Sequence, residues 1–250
     1  MNRKKLGVMG GAILVLLSML VVGCKGVSSG DTSAWTENGN KKKVWEKTNS
    51  STTEYLRAYE QFGASTKPTA AEVKLTVGNA ANSKAGLIFD LKKNENGTIN
   101  YFVVGVGTQA ANGTVPEYYI SYYSGVTADS IAQTSSGEAA PKGSGQSKDV
   151  VPNTKLENFS LNEDGSLTVY VKFAGTDDKI EVKLGSASDS YTVTKEITLT
   201  EYDVGAKKIS GGIAAYAMLR PTKTSGTSVS TKNTYEVLQP TTILAAEDAE

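Results

Sequence analysis

Cys24 has the clearest chemistry in this chain, because it is the only cysteine among 250 residues. The chain contains no histidine, which removes the usual general base near neutral pH and the commonest metal ligand. Histidine-dependent triads, dyads and zinc sites are therefore excluded, and one cysteine cannot form a disulfide within the chain. Catalysis would need carboxylates, lysine or tyrosine, and any metal would be a hard ion held by oxygen atoms. We predict no metal site and no cofactor.

Tyrosines form the second chemically informative group. In the segment 117–123, alternation places Tyr119 and Tyr123 on the face opposite Ile120. Since isoleucine marks the core face, we predict that these two tyrosines face solvent together with Tyr170 and Tyr101. Aromatic rings with hydroxyl tips stack on a pyranose and hydrogen-bond its edge, so the four are candidate ligand-binding residues. The same pattern also fits tyrosines that only fill half-buried strand positions.

An export signal precedes Cys24. Basic residues at positions 3–5 are followed by a mostly apolar stretch, 6–23, that ends in Val21-Val22-Gly23-Cys24. This ending resembles the lipobox of bacterial lipoproteins. The resemblance implies that residues 1–23 are a signal peptide and that Cys24 is lipidated, with palmitate among its acyl chains. A retained transmembrane helix is the alternative, since a span needs about 20 apolar residues, but an ending at a small residue and cysteine favours processing.

The charge and the residues after Cys24 describe the exported protein. Removal of residues 1–23 takes Arg3, Lys4 and Lys5 from 26 basic residues and leaves 26 acidic ones. Only two arginines remain, so the sequence disfavours nucleic-acid partners. The lipid makes the membrane a partner. By analogy with the lipoproteins of enteric bacteria, Lys25 rather than Asp after the cysteine favours the outer over the inner membrane, with the domain periplasmic or surface-exposed. We expect a lipidated tether at 24–43, one domain at 44–240 and an acidic tail at 241–250.

Alternating apolar residues predict that the domain is all-β. Hairpin turn signals at Asn96-Gly97 and Asp164-Gly165 separate several of the predicted strands, and three strands of the first half form a meander. Two polar connections, 124–153 and 220–233, are predicted loops, and the first has the composition of a disordered segment. The predicted strands are 55–62, 72–77, 85–91, 99–106, 117–123, 156–161, 167–173, 180–184, 193–200, 213–219 and 235–238. Short helical turns at 51–59 are the alternative to the first of these strands.

The order of these runs resembles the concanavalin-like, laminin-G-like jelly roll over about residues 45–239. The apolar runs at 85–89 and 101–106 and the glycines at 211–212 carry this resemblance. It implies an antiparallel β-sandwich that belongs to a superfamily whose members often bind glycans and sometimes hydrolyse them. The Glu-x-Asp-x-x-Glu strand of its laminarinase-like branch is not present in this sequence.

These observations favour a membrane-anchored lipoprotein with a non-catalytic binding domain, glycan-binding or adhesive. A carbohydrate-active enzyme that uses carboxylates distant in sequence is one alternative. A structural envelope protein that docks another protein is the other. Its partners would be the membrane together with a glycan or a host or envelope protein.

Overall fold

The described residues form thirteen strands and one short helix. The computed structural model describes residues 42–49, 56–61, 68–79, 84–108, 115–126, 146–176, 178–203, 211–219, 229–238 and 242–243. The strands are β1 (Lys42–Asn49), β2 (Leu56–Gln61), β3 (Pro68–Val77), β4 (Lys84–Lys93), β5 (Ile99–Gly107), β6 (Glu117–Val126), β7 (Gln146–Lys155), β8 (Leu167–Thr176), β9 (Lys179–Ala187), β10 (Ser190–Thr198), β11 (Gly212–Leu219), β12 (Val229–Val237) and β13 (Thr242–Ile243), with a 3₁₀ helix at Leu199–Glu201.

The strands form two antiparallel sheets. The seven-stranded sheet has the order β1-β12-β3-β8-β9-β10, with β13 pairing to β3. The six-stranded sheet has the order β2-β11-β4-β5-β6-β7. The predicted antiparallel β-sandwich is confirmed, and its predicted meander is β4-β5-β6.

Strands from the two ends of the domain interleave. β12 lies between β1 and β3, while β11 lies between β2 and β4. In each sheet, a strand from the C-terminal part of the chain pairs with two strands from the N-terminal part and connects them. The two parts of the chain therefore form one cooperative unit rather than two independent halves.

The core between the sheets follows the predicted alternation. Leu87, Phe102 and Ile120 of the six-stranded sheet pack in the same buried cluster as Val73 and Val171 of the seven-stranded sheet. Phe89 stacks on Phe102 at 5.4 Å and on Phe173 at 5.3 Å between ring centroids. Tyr118, Ile120 and Tyr122 lie on the core face, as the segment 117–123 predicted.

The turn signals are confirmed where they fall on described residues. Gly97 has φ +82° and Gly165 has φ +75°, values that glycine adopts without strain. In the first turn the Gly97 amide donates to the Asn94 carbonyl at 2.9 Å. In the second, the Gly165 amide donates to the Asn162 carbonyl at 2.8 Å.

Two assignments around the first long connection are wrong. The segment 156–161 is not a strand but a turn region in which Asn158 has φ +65°, and the strand lies earlier, as β7 at Gln146–Lys155. β7 pairs with β6 and is largely exposed at the edge of its sheet. Among the described side chains of β7 only Val151 is buried. An exposed strand of this kind has mostly polar residues, and its sequence therefore resembles that of a loop. The end of the second connection likewise belongs to β12, which begins at Val229.

Several predictions lie outside the described residues. The signal peptide 1–23, Cys24 and the tether up to residue 41 belong to this group, as do most of both connections and residues 244–250 of the acidic tail. Within the described part of the chain, no helix is long and apolar enough to cross a membrane.

Candidate functional site

Three of the four predicted ligand-binding tyrosines share one face. Tyr101, Tyr119 and Tyr123 lie on the face of the six-stranded sheet that points away from the other sheet, together with Tyr216. Tyr101 and Tyr123 stack with ring centroids 5.2 Å apart. The prediction that these tyrosines face solvent is wrong, because Tyr101, Tyr119 and Tyr123 are only 0%, 7% and 6% exposed.

This outer face is built as a second hydrophobic core. Its buried positions also include Ile88, Val103 and Ala214. The six-stranded sheet is therefore apolar on both faces in its centre. The sequence carries a signal for burial of both faces in 85–91 and 101–106, where apolar residues run continuously rather than alternating. Such continuous runs are typical of strands that are buried on both faces. Ligand binding at Tyr101, Tyr119 and Tyr123 remains a prediction.

Glycines let the tyrosine rings lie against this sheet. Gly86 and Gly105 are paired across β4 and β5, between Tyr216 on β11 and Tyr119 on β6. A Cβ at Gly105 would overlap the Tyr119 ring, and one at Gly86 would lie 3.2 Å from Cδ1 of Tyr216. Both rings therefore occupy space that any larger residue would fill.

A buried ion pair lies at one end of the same face. Lys84 and Glu117 flank Gly107 in register, and with no side chain between them the Lys84 Nζ approaches Glu117 Oε1 at 3.0 Å. Their side chains are 8% and 10% exposed. Lys84 also donates to Asn153 Oδ1 at 3.3 Å and lies 4.5 Å from the centroid of Tyr119. The ammonium is thus surrounded by partners and holds Tyr119 in place.

A second ion cluster lies at the bulged end of β4. The Lys92 Nζ is 3.0 Å from Asp90 Oδ2 and 2.5 Å from Asp203 Oδ2. Asp90 has φ +52°, and its Oδ1 accepts a hydrogen bond from the Gly211 amide at 2.8 Å. Burial opposes the charge on Lys92, but the two carboxylates outweigh it and raise the pKa of Lys92. The cluster joins β4 to the residues before β11 and after the 3₁₀ helix.

Aromatic residues continue this cluster into the sandwich. Tyr202 packs edge-on against Phe102 and Tyr122, at 5.7 and 5.9 Å between centroids, and Lys148 Nζ lies 4.2 Å from the Tyr202 centroid. Burial first, and then the charges of Asp203 and Asp90, raise the pKa of Tyr122 to about 12. The segment 199–203 therefore closes one end of the core.

The fourth predicted tyrosine lies on the other sheet. Tyr170 is half-buried on the outer face of the seven-stranded sheet, where Thr168 and Lys172 flank it along β8, as predicted. Tyr170 and Tyr191 are both opposite Gly185 of β9 in register. Lys74 Nζ is 5.9 Å from the Tyr170 centroid, and Lys172 Nζ is 5.8 Å from the Tyr191 centroid. We call Lys74, Tyr170, Lys172 and Tyr191 the tyrosine–lysine patch.

The β9–β10 hairpin forms one side of this patch. Its turn residue Asp189 has φ +58°, and its Ser188 Oγ donates to Glu72 Oε1 on β3 at 3.0 Å. Glu72 is only 1% exposed although it lies on the outer face. Burial first, and then the Glu72 carboxylate, raise the pKa of Tyr191. The hairpin turn therefore reaches over the sheet, and Tyr191 keeps its proton at neutral pH.

Two of the described carboxylates share one cation. Asp90 and Asp203 both contact the Lys92 ammonium, whereas a glycosidase needs one protonated acid and one free carboxylate. Among the residues described, no group of three or more acidic or cysteine side chains could hold a metal ion.

Comparisons with known proteins show only distant structural likeness. No protein-family model matches the chain, and no curated protein matches it. A β-glucanase of Bacillus licheniformis has 8% identity and a TM-score of 0.43, with 87% of this chain and 96% of that chain covered. The laminarinase catalytic domain of Thermotoga petrophila RKU-1 has 9% identity and a TM-score of 0.40 over 80% and 77%. The CBM2 module of the evolved Dit of Lactobacillus casei BL23 phage J-1 has 11% identity and a TM-score of 0.34 over 79% and 70%.

Proposed function

We propose that this chain is a lipid-anchored lipoprotein of the cell envelope whose β-sandwich binds glycans without cleaving them. The observation that carries the proposal is the tyrosine–lysine patch. It joins two half-buried tyrosines on a sheet face that is otherwise polar. The predicted lipidation of Cys24 and outer-membrane location are parts of the same proposal.

The chemistry of the patch suits a sugar. Tyr170 and Tyr191 flank Gly185, so their backbones are separated by two strand spacings, or about 10 Å. A pyranose stacks its apolar face on an aromatic ring and offers hydroxyls at its edge, which the Tyr170 hydroxyl and the lysine ammoniums can hydrogen-bond. The Tyr191 hydroxyl is buried, so Tyr191 contributes its ring alone. The contacts of Lys92 with both Asp90 and Asp203 favour a binder over an enzyme, since a cation holds these two carboxylates.

A glycan array tests the binding role. The full chain in detergent micelles should bind a restricted set of glycans on the array. Tyr170→Ala should lower the affinity for these glycans about tenfold, as loss of a stacking aromatic residue does. Tyr170→Phe, which keeps the ring, should lose less. Thr198→Ala, on the outer face at the far end of β10, is the matched control and should bind as wild type does. Absence of binding to every glycan, or equal binding by Tyr170→Ala, would refute the role.

Fractionation tests the anchor. In the native host, or in a bacterium that processes lipoproteins, wild-type protein should sediment with outer membranes and incorporate labelled palmitate. Cys24→Ser should abolish the label, because no other thiol is available. A labelled Cys24→Ser variant, or an unlabelled wild type, would contradict lipidation at this position.

A further inference from the structure

We propose that the ligand of the tyrosine–lysine patch is an acidic glycan, one with uronic-acid carboxylates along its chain. This inference rests on the proposed glycan binding and names the class of sugar. Lys74 and Lys172 carry it, since within the described ranges neither is ion-paired with a carboxylate.

The unpaired state of Lys172 has a structural cause. Glu72 is its direct neighbour across β3 and β8, and an ion pair between them would be expected from that register. Glu72 instead accepts the Ser188 hydroxyl at 3.0 Å and is buried beneath the hairpin. The Lys172 ammonium extends over the Tyr191 ring, where it remains available to an anion.

Lys74 repeats this arrangement on the other side. Glu236 is its neighbour across β12 and β3, yet the Lys74 ammonium lies towards the Tyr170 ring. Lys183, by contrast, pairs with Glu181 at 2.7 Å, and Lys179 pairs with Glu196 at 2.7 Å. Among the described lysines of β3, β8 and β9 on this face, Lys74 and Lys172 beside the tyrosines are the two without an ion pair, and they remain available to a ligand carboxylate.

Stacking and charge act together at this spacing. Tyr170 and Lys172 are two residues apart on one strand, so their side chains emerge about 7 Å apart on the same face. The Lys74 ammonium lies near the Tyr170 ring and the Lys172 ammonium over the Tyr191 ring. A sugar that stacks on Tyr170 therefore has Lys74 for its carboxylate, and the next acidic sugar along the chain has Lys172. The chain after removal of residues 1–23 has an excess of three acidic residues, so general attraction to polyanions would not produce this binding.

The test uses the full chain in detergent micelles and three polymers: polygalacturonate, its fully methyl-esterified form and poly-glutamate. Polygalacturonate should bind, and esterification should weaken binding about tenfold because it removes the charge and keeps the ring. Poly-glutamate, which has charge without a ring, should bind as weakly as the ester.

Lys74→Gln and Lys172→Gln should each lower affinity for polygalacturonate about three- to fivefold, the effect expected from loss of an exposed ion pair. Lys155→Gln, an exposed lysine on β7, is the charge-matched control.

The outcomes separate this inference from the proposed function. Equal binding of the acid and the ester, with loss in Tyr170→Ala but not in Lys172→Gln, would overturn the acidic class and leave glycan binding intact. Equal binding of poly-glutamate and polygalacturonate would also overturn it, in favour of an acidic protein partner. Binding to none of these polymers, with neutral glycans retained on the array, would refute the acidic class alone.

Discussion

At the scale of single residues, the ion cluster around Lys92 is the feature on which stability depends most clearly. Asp90 is buried with its side chain 1% exposed, and Lys92 is the cation that balances it. The positive φ of Asp90 and its bond to the Gly211 amide leave the carboxylate little freedom to move towards water. Removal of the ammonium would take away a positively charged partner of this buried carboxylate.

Lys92→Met should therefore lower the free energy of unfolding by about 2 to 3 kcal/mol, less than for a fully buried pair because Lys92 is partly exposed. Urea unfolding followed by tyrosine fluorescence measures this change. The neighbouring Lys93→Met is the control, since Lys93 is exposed and should change stability by less than about 0.5 kcal/mol. Equal effects of the two substitutions would show that the cluster contributes nothing.

Tyr122 gives a pH dependence with a defined sign. Its pKa in the folded protein is about 12, against an ordinary value of 10.0. The unfolded chain therefore releases the Tyr122 proton at a pH where the folded chain retains it. This contribution to stability is complete below pH 10 and is lost as the pH rises from 10 towards 12.

The expected result is a fall in the urea midpoint between pH 9.5 and 11.5 that is smaller in Tyr122→Phe than in wild type. Other buried tyrosines, such as Tyr235, also titrate late, so the fall should shrink rather than vanish. Tyrosinate absorbance at 295 nm provides the second readout, in which the variant should lose one late-titrating group. Parallel midpoint curves for the two proteins would contradict the raised pKa of Tyr122.

At the scale of elements, the exposed edge strands are protected against further pairing. β10 is an edge of the seven-stranded sheet, and Lys195 lies in its inward-facing row, opposite Val182 of β9. An inward-pointing charge on an edge strand disfavours addition of another strand. β7, an edge of the six-stranded sheet, carries Pro152 and pairs with β6 through two register shifts, which has the same effect.

Lys195→Val should therefore promote self-association through β10. Size-exclusion chromatography with light scattering, in detergent, should show a concentration-dependent increase in mass. Lys232→Val is the control, because Lys232 is exposed but lies on β12, which has strands on both sides. A monomeric Lys195→Val variant, or equal association of both variants, would show that this lysine does not protect the edge.

The elements also show what could be predicted from the sequence. Most strands and the turns at Gly97 and Gly165 could be predicted from the sequence, because alternating apolar residues and the glycines of tight turns are local signals. β7 was missed because an exposed edge strand with proline has the composition of a loop. The burial of Tyr101 and Tyr119 was missed because alternation tells which residues share a face, and not whether that face is covered.

The candidate site depended on pairings that no local pattern encodes. Tyr191 and Tyr170 lie on different strands, and they meet only because Gly185 is opposite both. The contact between Ser188 and Glu72 joins residues 116 positions apart. Tyr170 could be selected from its neighbours on β8, whereas Tyr191, Lys74 and the buried state of Glu72 required the register of the sheet.

At the scale of the whole molecule, the two outer faces of the sandwich differ in kind. The centre of the six-stranded sheet is apolar and buried on both sides. The seven-stranded sheet presents charged residues and half-exposed tyrosines to solvent. This difference is why the proposed glycan site lies on the seven-stranded sheet.

Hydrogen exchange with and without a bound glycan tests this assignment most directly. If glycans bind at the tyrosine–lysine patch, the best glycan from the array should slow amide exchange in β8 and in the β9–β10 hairpin, where Tyr170, Lys172 and Tyr191 lie. β5 and β6, which carry Tyr101, Tyr119 and Tyr123, should exchange at unchanged rates. Protection confined to β5 and β6, or no protection at saturating glycan, would contradict binding at the seven-stranded sheet.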